Sequence, residues 1–180
     1  MTFWTSRRGL LMGAGGLAAA TSVGACSNAS IVGFDKARRS IDISNQGEPL
    51  SLDPHKASGS WENNIIGNMF IGLTTEDAGA DPVPGMAERW ETSEDGRTWT
   101  FFLRRAQWSD GEGCDAHDFE FALRRILDPV NLAVYASLLY PIKNAEAIVA
   151  GRMTPDTAGV TALDDLTLEI QLEHPAGRGV

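Results

Sequence analysis

Along this chain the spacing of apolar positions changes several times, and each spacing predicts an element. Residues 9–20 run apolar and small, with Leu10, Leu11, Met12 and Leu17 set among glycines and alanines. Between Arg39 and Ser44, Ile41 and Ile43 alternate with polar residues, which is the period of a strand. Gly47-Glu48-Pro49 breaks that strand, and 51–55 is rich in turn residues. From Trp61 the period lengthens. Trp61, Ile65, Ile66, Met69, Phe70 and Leu73 fall on one face of an amphipathic helix, with Gly72 near its end.

Glu88 to Arg104 has the pattern of a hairpin. Ser93-Glu94-Asp95-Gly96 supplies the turn, and Thr98–Leu103 returns as a strand rich in aromatic and β-branched residues. Trp108-Ser109-Asp110-Gly111 is a second Asp-Gly turn. Asp115 is placed to cap a helix, with Asp118 in its first turn. That helix would turn Phe119, Ala122, Leu123, Ile126 and Leu127 to a core and stop at Asp128-Pro129. A shorter helix covers 144–150 before Gly151. Asp164-Asp165 then separates two strands. In the second, Leu166, Leu168, Ile170 and Leu172 share one face, while Thr167, Glu169 and Gln171 share the other. The class is mixed α+β, and the expected core comprises Ile65, Met69, Trp90, Trp99, Phe101, Leu123 and Ile126.

Composition narrows the functions open to such a chain. With 180 residues, 43% of them hydrophobic, it can bury one core or two small ones. A formal charge of −9 excludes nucleic acid, whose binders carry basic patches, and an anionic lipid surface as the main partner. Two cysteines exclude a disulfide framework and a cysteine-rich zinc site.

The amino terminus has the features of an address. Residues 1–25 lack Asp and Glu, and Arg7 and Arg8 precede the short apolar stretch at 9–20. That order is the one of a signal peptide, and Ser6-Arg7-Arg8-Gly9-Leu10-Leu11 resembles a twin-arginine export signal. Val23-Gly24-Ala25-Cys26 resembles a lipobox, which would make Cys26 the lipidated first residue of the mature chain; ordinary cleavage near Ala25 is the other reading. Loss of Arg7 and Arg8 with this segment takes the formal charge from −9 to −11.

Catalytic motifs are not found. The chain has no Gly-x-Ser-x-Gly elbow and no phosphate loop. His55, His117 and His174 share no metal-ligand spacing, so no metal or cofactor is expected. Cys114 reads as a buried apolar residue or a free thiol. Arg104-Arg105 and Arg124-Arg125 read as solvated faces of their elements.

A series of segments, in order, resembles one family. It begins with Glu48-Pro49-Leu50-Ser51-Leu52-Asp53-Pro54-His55-Lys56 and Asn68–Thr74, and continues through Pro84–Trp90 and Asp95–Arg104. Trp108–Gly111, Asp118-Phe119, Arg124–Pro129, Ile142–Ile148 and Gly159–Asp165 complete it. Together they resemble the amino-terminal part of extracytoplasmic solute-binding proteins of the oligopeptide/dipeptide type, the receptors of ATP-binding-cassette importers.

The resemblance implies a periplasmic-binding-protein type II-like fold, incomplete in this chain. Its expected divisions are the signal at 1–25, a leash and first large-lobe strand at 26–46, a small α+β subdomain at 47–157, and large-lobe return strands at 158–180. It implies short peptides as ligand, an inner-membrane permease as partner, and a site outside the cytoplasm, held to the membrane only through a lipid on Cys26. Relatives of this type also take nickel, haem or oligosaccharide, and a truncated or frameshifted product binding nothing is a further alternative. By position, the loop Ala57-Ser58-Gly59-Ser60-Trp61 and Tyr135 would face the peptide. Core packing beside Leu138 and Leu139 is the competing reading of Tyr135. Two departures stand out: Ser58 occupies a position that is acidic in the best-known oligopeptide pattern, and Gly113-Cys114 replaces a Pro and an aliphatic residue.

Overall fold

A computed structural model describes residues 32–35, 40–45 and 47–175. The expected export signal with Arg7 and Arg8, and the expected lipid site at Cys26, lie outside the described residues. The chain divides into two units, Met1–Ser44 and Asn45–Val180. In the first, β1 (Val32–Asp35) pairs antiparallel with β2 (Ser40–Ile43), Val32 opposite Ile43. The alternation around Ile41 and Ile43 predicted β2. No alternation marks β1.

The second unit opens with α1 (Ser60–Met69) and a hairpin of β3 (Thr74–Glu76) and β4 (Pro82–Pro84). Then come β5 (Ala87–Thr92), β6 (Thr98–Leu103), β7 (Ala106–Gln107), β8 (Gly113–Cys114) and α2 (Ala116–Leu127). Two short 3-10 turns, Pro129–Asn131 and Ala136–Leu139, lead to α3 (Ala145–Val149). A third, Pro155–Thr157, precedes β9 (Val160–Asp164) and β10 (Thr167–Gln171).

Four strands form one antiparallel sheet in the order β5-β6-β10-β9. The β5–β6 turn closes as its Asp-Gly predicts: Gly96 N–H donates to the Ser93 carbonyl at 2.9 Å, and Gly96 takes a φ of +69°. β10 enters beside β6 with Ile170 opposite Trp99 and Leu168 opposite Phe101. The expected boundary at 157/158 therefore falls inside one sheet. The reason is the alternation in β10: its apolar face continues the apolar face of β6, and both look toward the same helices.

The core is built from Ala87, Ala116, Leu127, Ala145, Ile148 and Leu168 with their neighbours. Ala87, Ala116 and Ala145 are fully buried there beside the larger Leu127, Ile148, Val160 and Leu168. Phe101, Leu123 and Ile126, expected in the core, are half-buried and pack against its margin. Trp90 and Trp99 instead line an open crevice of about 880 Å³ with Leu73, Leu139 and Ile170, and Met69 is exposed.

α2 has the predicted ends. The Asp115 carboxylate accepts from the His117 and Asp118 backbone N–H groups at 2.8 and 3.3 Å, and Asp118 accepts in return from Asp115 N–H at 3.1 Å. This reciprocal cap satisfies donors that a helix start leaves orphaned. α1 differs from its expectation. Of its residues only Glu62 is buried, at 2% exposure, while Trp61, Met69 and Phe70 are exposed. Polar bonds at its first turn, rather than an apolar face, fix this helix. Beyond it, Met86 N–H donates to the Gly72 carbonyl at 2.8 Å, and the Gly85 and Ala87 N–H groups both donate to Leu73 at 3.1 and 2.9 Å.

Candidate functional site

The site begins with the turn at Asp53-Pro54-His55-Lys56. The Lys56 and Ala57 N–H groups donate to the Asp53 carbonyl at 3.0 and 3.1 Å, and His55 N–H donates to Asp53 Oδ1 at 3.1 Å. Asp-Pro favours such a turn because proline fixes φ and the carboxylate captures a backbone donor two residues on. Ala57 is buried, and the chain then emerges at Ser58 and Ser60.

Arg125 of α2 anchors this turn. Its Nη1 and Nη2 donate to Asp53 Oδ1 and Oδ2 at 2.9 and 2.6 Å, a two-pronged pairing, and Nη1 also lies 2.8 Å from His55 Nδ1. The Arg125 fork holds the Asp53 carboxyl far below the usual carboxylate range against the opposing effect of burial. Burial, and then the charge of Arg125, push His55 below its ordinary value, with Asp53 opposing them. Arg124 is also engaged, with Nη2 2.7 Å from Glu120 Oε1 and donating to the Val160 carbonyl at 3.2 Å. The reading of Arg124-Arg125 as a solvated face is thus corrected. Both side chains are about two-thirds buried, because α2 turns this edge toward β9 and the 53–57 turn. Arg104-Arg105 is exposed.

Two further contacts bring a second loop alongside. Asn131 Nδ2 donates to the Arg125 carbonyl at 2.9 Å, and Val134 N–H donates to the His55 carbonyl at 3.3 Å. Tyr135 Oη then donates to the Ser58 carbonyl at 3.3 Å. Tyr135 is 47% exposed, so its ring is not in the core, as the packing alternative would require. Ser58 and Tyr135, 77 positions apart in sequence, meet directly. Gly59 is half-buried, Ser60 is exposed and Trp61 is 38% exposed, all on the same stretch.

Glu62 secures the far side of the loop. Its Oε1 accepts from Leu50 N–H at 3.1 Å and from the Trp61 indole N–H at 2.9 Å. Burial pushes this carboxyl up, but the donors around it outweigh burial and hold it below the ordinary value. Asn45 Nδ2 adds a bond to the Trp61 carbonyl at 2.9 Å. Sequence reasoning missed Glu62 and Arg125, since neither carries a local signal of burial.

The remaining candidates lie apart. His117 sits 3.7 Å from Glu120 on the outer side of α2, and His174 is exposed. Among the described residues no cluster of His, Cys, Asp and Glu is arranged to hold a metal ion, and no helix is long and apolar enough to cross a membrane. Cys114 is 8% exposed, and burial, then Asp118 and Asp115, push its thiol up. The 880 Å³ crevice includes none of residues 57–61 or Tyr135.

Comparison with known proteins gives one consistent result. The family model described as bacterial extracellular solute-binding proteins, family 5 Middle, matches residues 81–179. The periplasmic murein peptide-binding protein MppA of Escherichia coli is 46% identical over 131 residues, which cover 71% of this chain and 24% of that protein. The periplasmic oligopeptide-binding protein OppA of Salmonella typhimurium is 41% identical over 170 residues, covering 92% of this chain and 31% of that one. Haemophilus influenzae OppA, solved in complex with RPPGFSPFR, superposes with a TM-score of 0.70 at 41% identity, over 74% of this chain and 26% of that chain. The chain thus spans about a quarter to a third of the length of these relatives.

Proposed function

The chain belongs to the bacterial extracellular solute-binding proteins of family 5, corresponding to an amino-terminal part of such a protein, and we propose that it serves as the peptide-binding component of an ATP-binding-cassette importer. The observation that carries this reading is the meeting of Ser58 with Tyr135 at an exposed edge, each held by a separate loop on one hub. Backbone groups and an amphipathic ring there suit a peptide main chain, which offers donors and acceptors whatever its side chains. The peptide relatives OppA and MppA support the ligand class. Ser58 in place of a carboxylate removes one anchor for a peptide's charged groups, so recognition rests on main-chain contacts and on Ser60 and Trp61.

The same reading places the protein outside the cytoplasm beside a membrane permease. Export would use Arg7 and Arg8, and a lipid on Cys26 would hold the protein at the membrane. Isothermal titration of the full chain with a peptide library that includes RPPGFSPFR tests the ligand. Heat that is lost in Tyr135→Ala supports it. Silence with every peptide, together with heat from nickel, haem or an oligosaccharide, overturns the peptide assignment and leaves the family. Fatty-acid labelling that persists in Cys26→Ser overturns the anchor.

A further inference from the structure

The Asp53–Arg125–His55 hub lies behind the candidate loops and meets the residues expected to face a ligand only at the Ala57 N–H, which donates to the Asp53 carbonyl. We propose that Arg125 is a positioning residue for both loops, and that it stays seated only while His55 is neutral; this rests on the peptide-binding reading of residues 58–61 and Tyr135. Arg125 meets the first loop through Asp53 and His55, and the second through its carbonyl on Asn131. His55 itself joins the two, since its carbonyl accepts from Val134, the residue before Tyr135.

The chemistry of the 2.8 Å contact sets the condition. A guanidinium only donates, so His55 Nδ1 must be the acceptor and its ring proton must sit on Nε2. Protonation at Nδ1 would set a donor against a donor and a cation against a cation, and the contact would open. The charged groups facing the ring are Asp53 from its own turn and Arg125 from α2. The crevice that His55 lines is shared with Gly72, Leu73 and Thr74, with Phe119 and Ile126 of α2, and with Leu139, none of them titratable. Asp53 is already committed to both prongs of the Arg125 fork, so no second carboxylate is at hand to receive the imidazolium. Acid therefore loosens the hub and lets residues 57–61 separate from Tyr135.

The test follows RPPGFSPFR binding to the full chain from about pH 7.5 to about pH 4, a window extended to the acid side because burial and Arg125 hold His55 below the range in which an ordinary histidine titrates. We expect affinity to fall about tenfold through the hub, the cost of one lost charged hydrogen bond. His55→Asn should flatten that fall, and the control His117→Asn should keep it. Arg125→Lys, which retains charge but loses the fork, should weaken binding at every pH. An unchanged pH profile in His55→Asn overturns the proposal. In parallel, hydrogen exchange of the unliganded wild-type chain reads the Ala57 and Val134 amides, and their protection should fall over the same range. Falling protection without peptide binding would sink the peptide reading and leave the hub standing. Constant protection overturns the hub, whatever the peptides do.

Discussion

Replacing Gly85 by alanine adds one methyl group at a place where two backbones cross. That methyl would stand 2.5 Å from the Gly72 carbonyl oxygen and 2.9 Å from that of Leu73. Both are main-chain atoms and cannot rotate aside. The same two oxygens accept the N–H groups of Gly85, Met86 and Ala87. Relief of the clash requires the 72–73 and 85–87 segments to part by much of an ångström, which stretches all three bonds at once. At about 1 kcal/mol net for each bond, the cost is about 2–3 kcal/mol. For a unit of this size that lowers Tm by roughly 6–15 °C. Gly67→Ala is the counterpart. It lies inside α1 with nothing within 4 Å of the new methyl, and should gain about 0.5–1 kcal/mol from helix propensity. Urea unfolding followed by far-UV circular dichroism measures both. The reasoning fails if Gly85→Ala unfolds within about 0.5 kcal/mol of the parent, the range of an inert surface change.

Arg125→Met should cost about 2 kcal/mol near neutral pH, allowing for the partial exposure of the pair. Asp53, held low in the folded state, stays ionised down to about pH 4, but Arg125 is seated only while His55 is neutral, so the difference between the two proteins should already shrink as His55 takes up its proton and should vanish in acid urea titrations. Leu168→Ala, at a fully buried position in β10, should cost about 3 kcal/mol in the same assay. Asp115→Ala removes a reciprocal cap and should cost about 1 kcal/mol, with a fall in helical signal near the midpoint. Cys114 should react with a thiol reagent slowly in the native chain and quickly in denaturant; equal rates would contradict its burial.

What could be read from the sequence was whatever local chemistry decides. The Asp-Gly turns, the Asp115 cap and the Asp128-Pro129 stop each act within four residues, so α2 and the β5–β6 hairpin fall at their expected places. The β3–β4 hairpin did not announce itself, because Pro82 and Pro84 bracket a strand that is only three residues long. Periodicity placed the helix α1 but not the burial of its face. It finds an apolar stripe correctly but does not say whether anything covers it, and Trp61 and Met69 remain open. The candidate loop was reached through its resemblance to a family. The hub that holds it was not, since Asp53 and Arg125 are 72 positions apart and each looks like an ordinary surface charge in its own neighbourhood.

The strand order β5-β6-β10-β9 also dictates a sequence of events during synthesis. The β5–β6 hairpin can close as soon as residue 103 has left the ribosome, but its partner β10 begins only at Thr167. Until then the unpaired edge of β6, with Trp99 and Phe101 on its apolar face, waits without a cover. A nascent chain of this kind cannot finish its sheet piece by piece, because closing the sheet requires one long-range pairing after nearly all of the unit has been made.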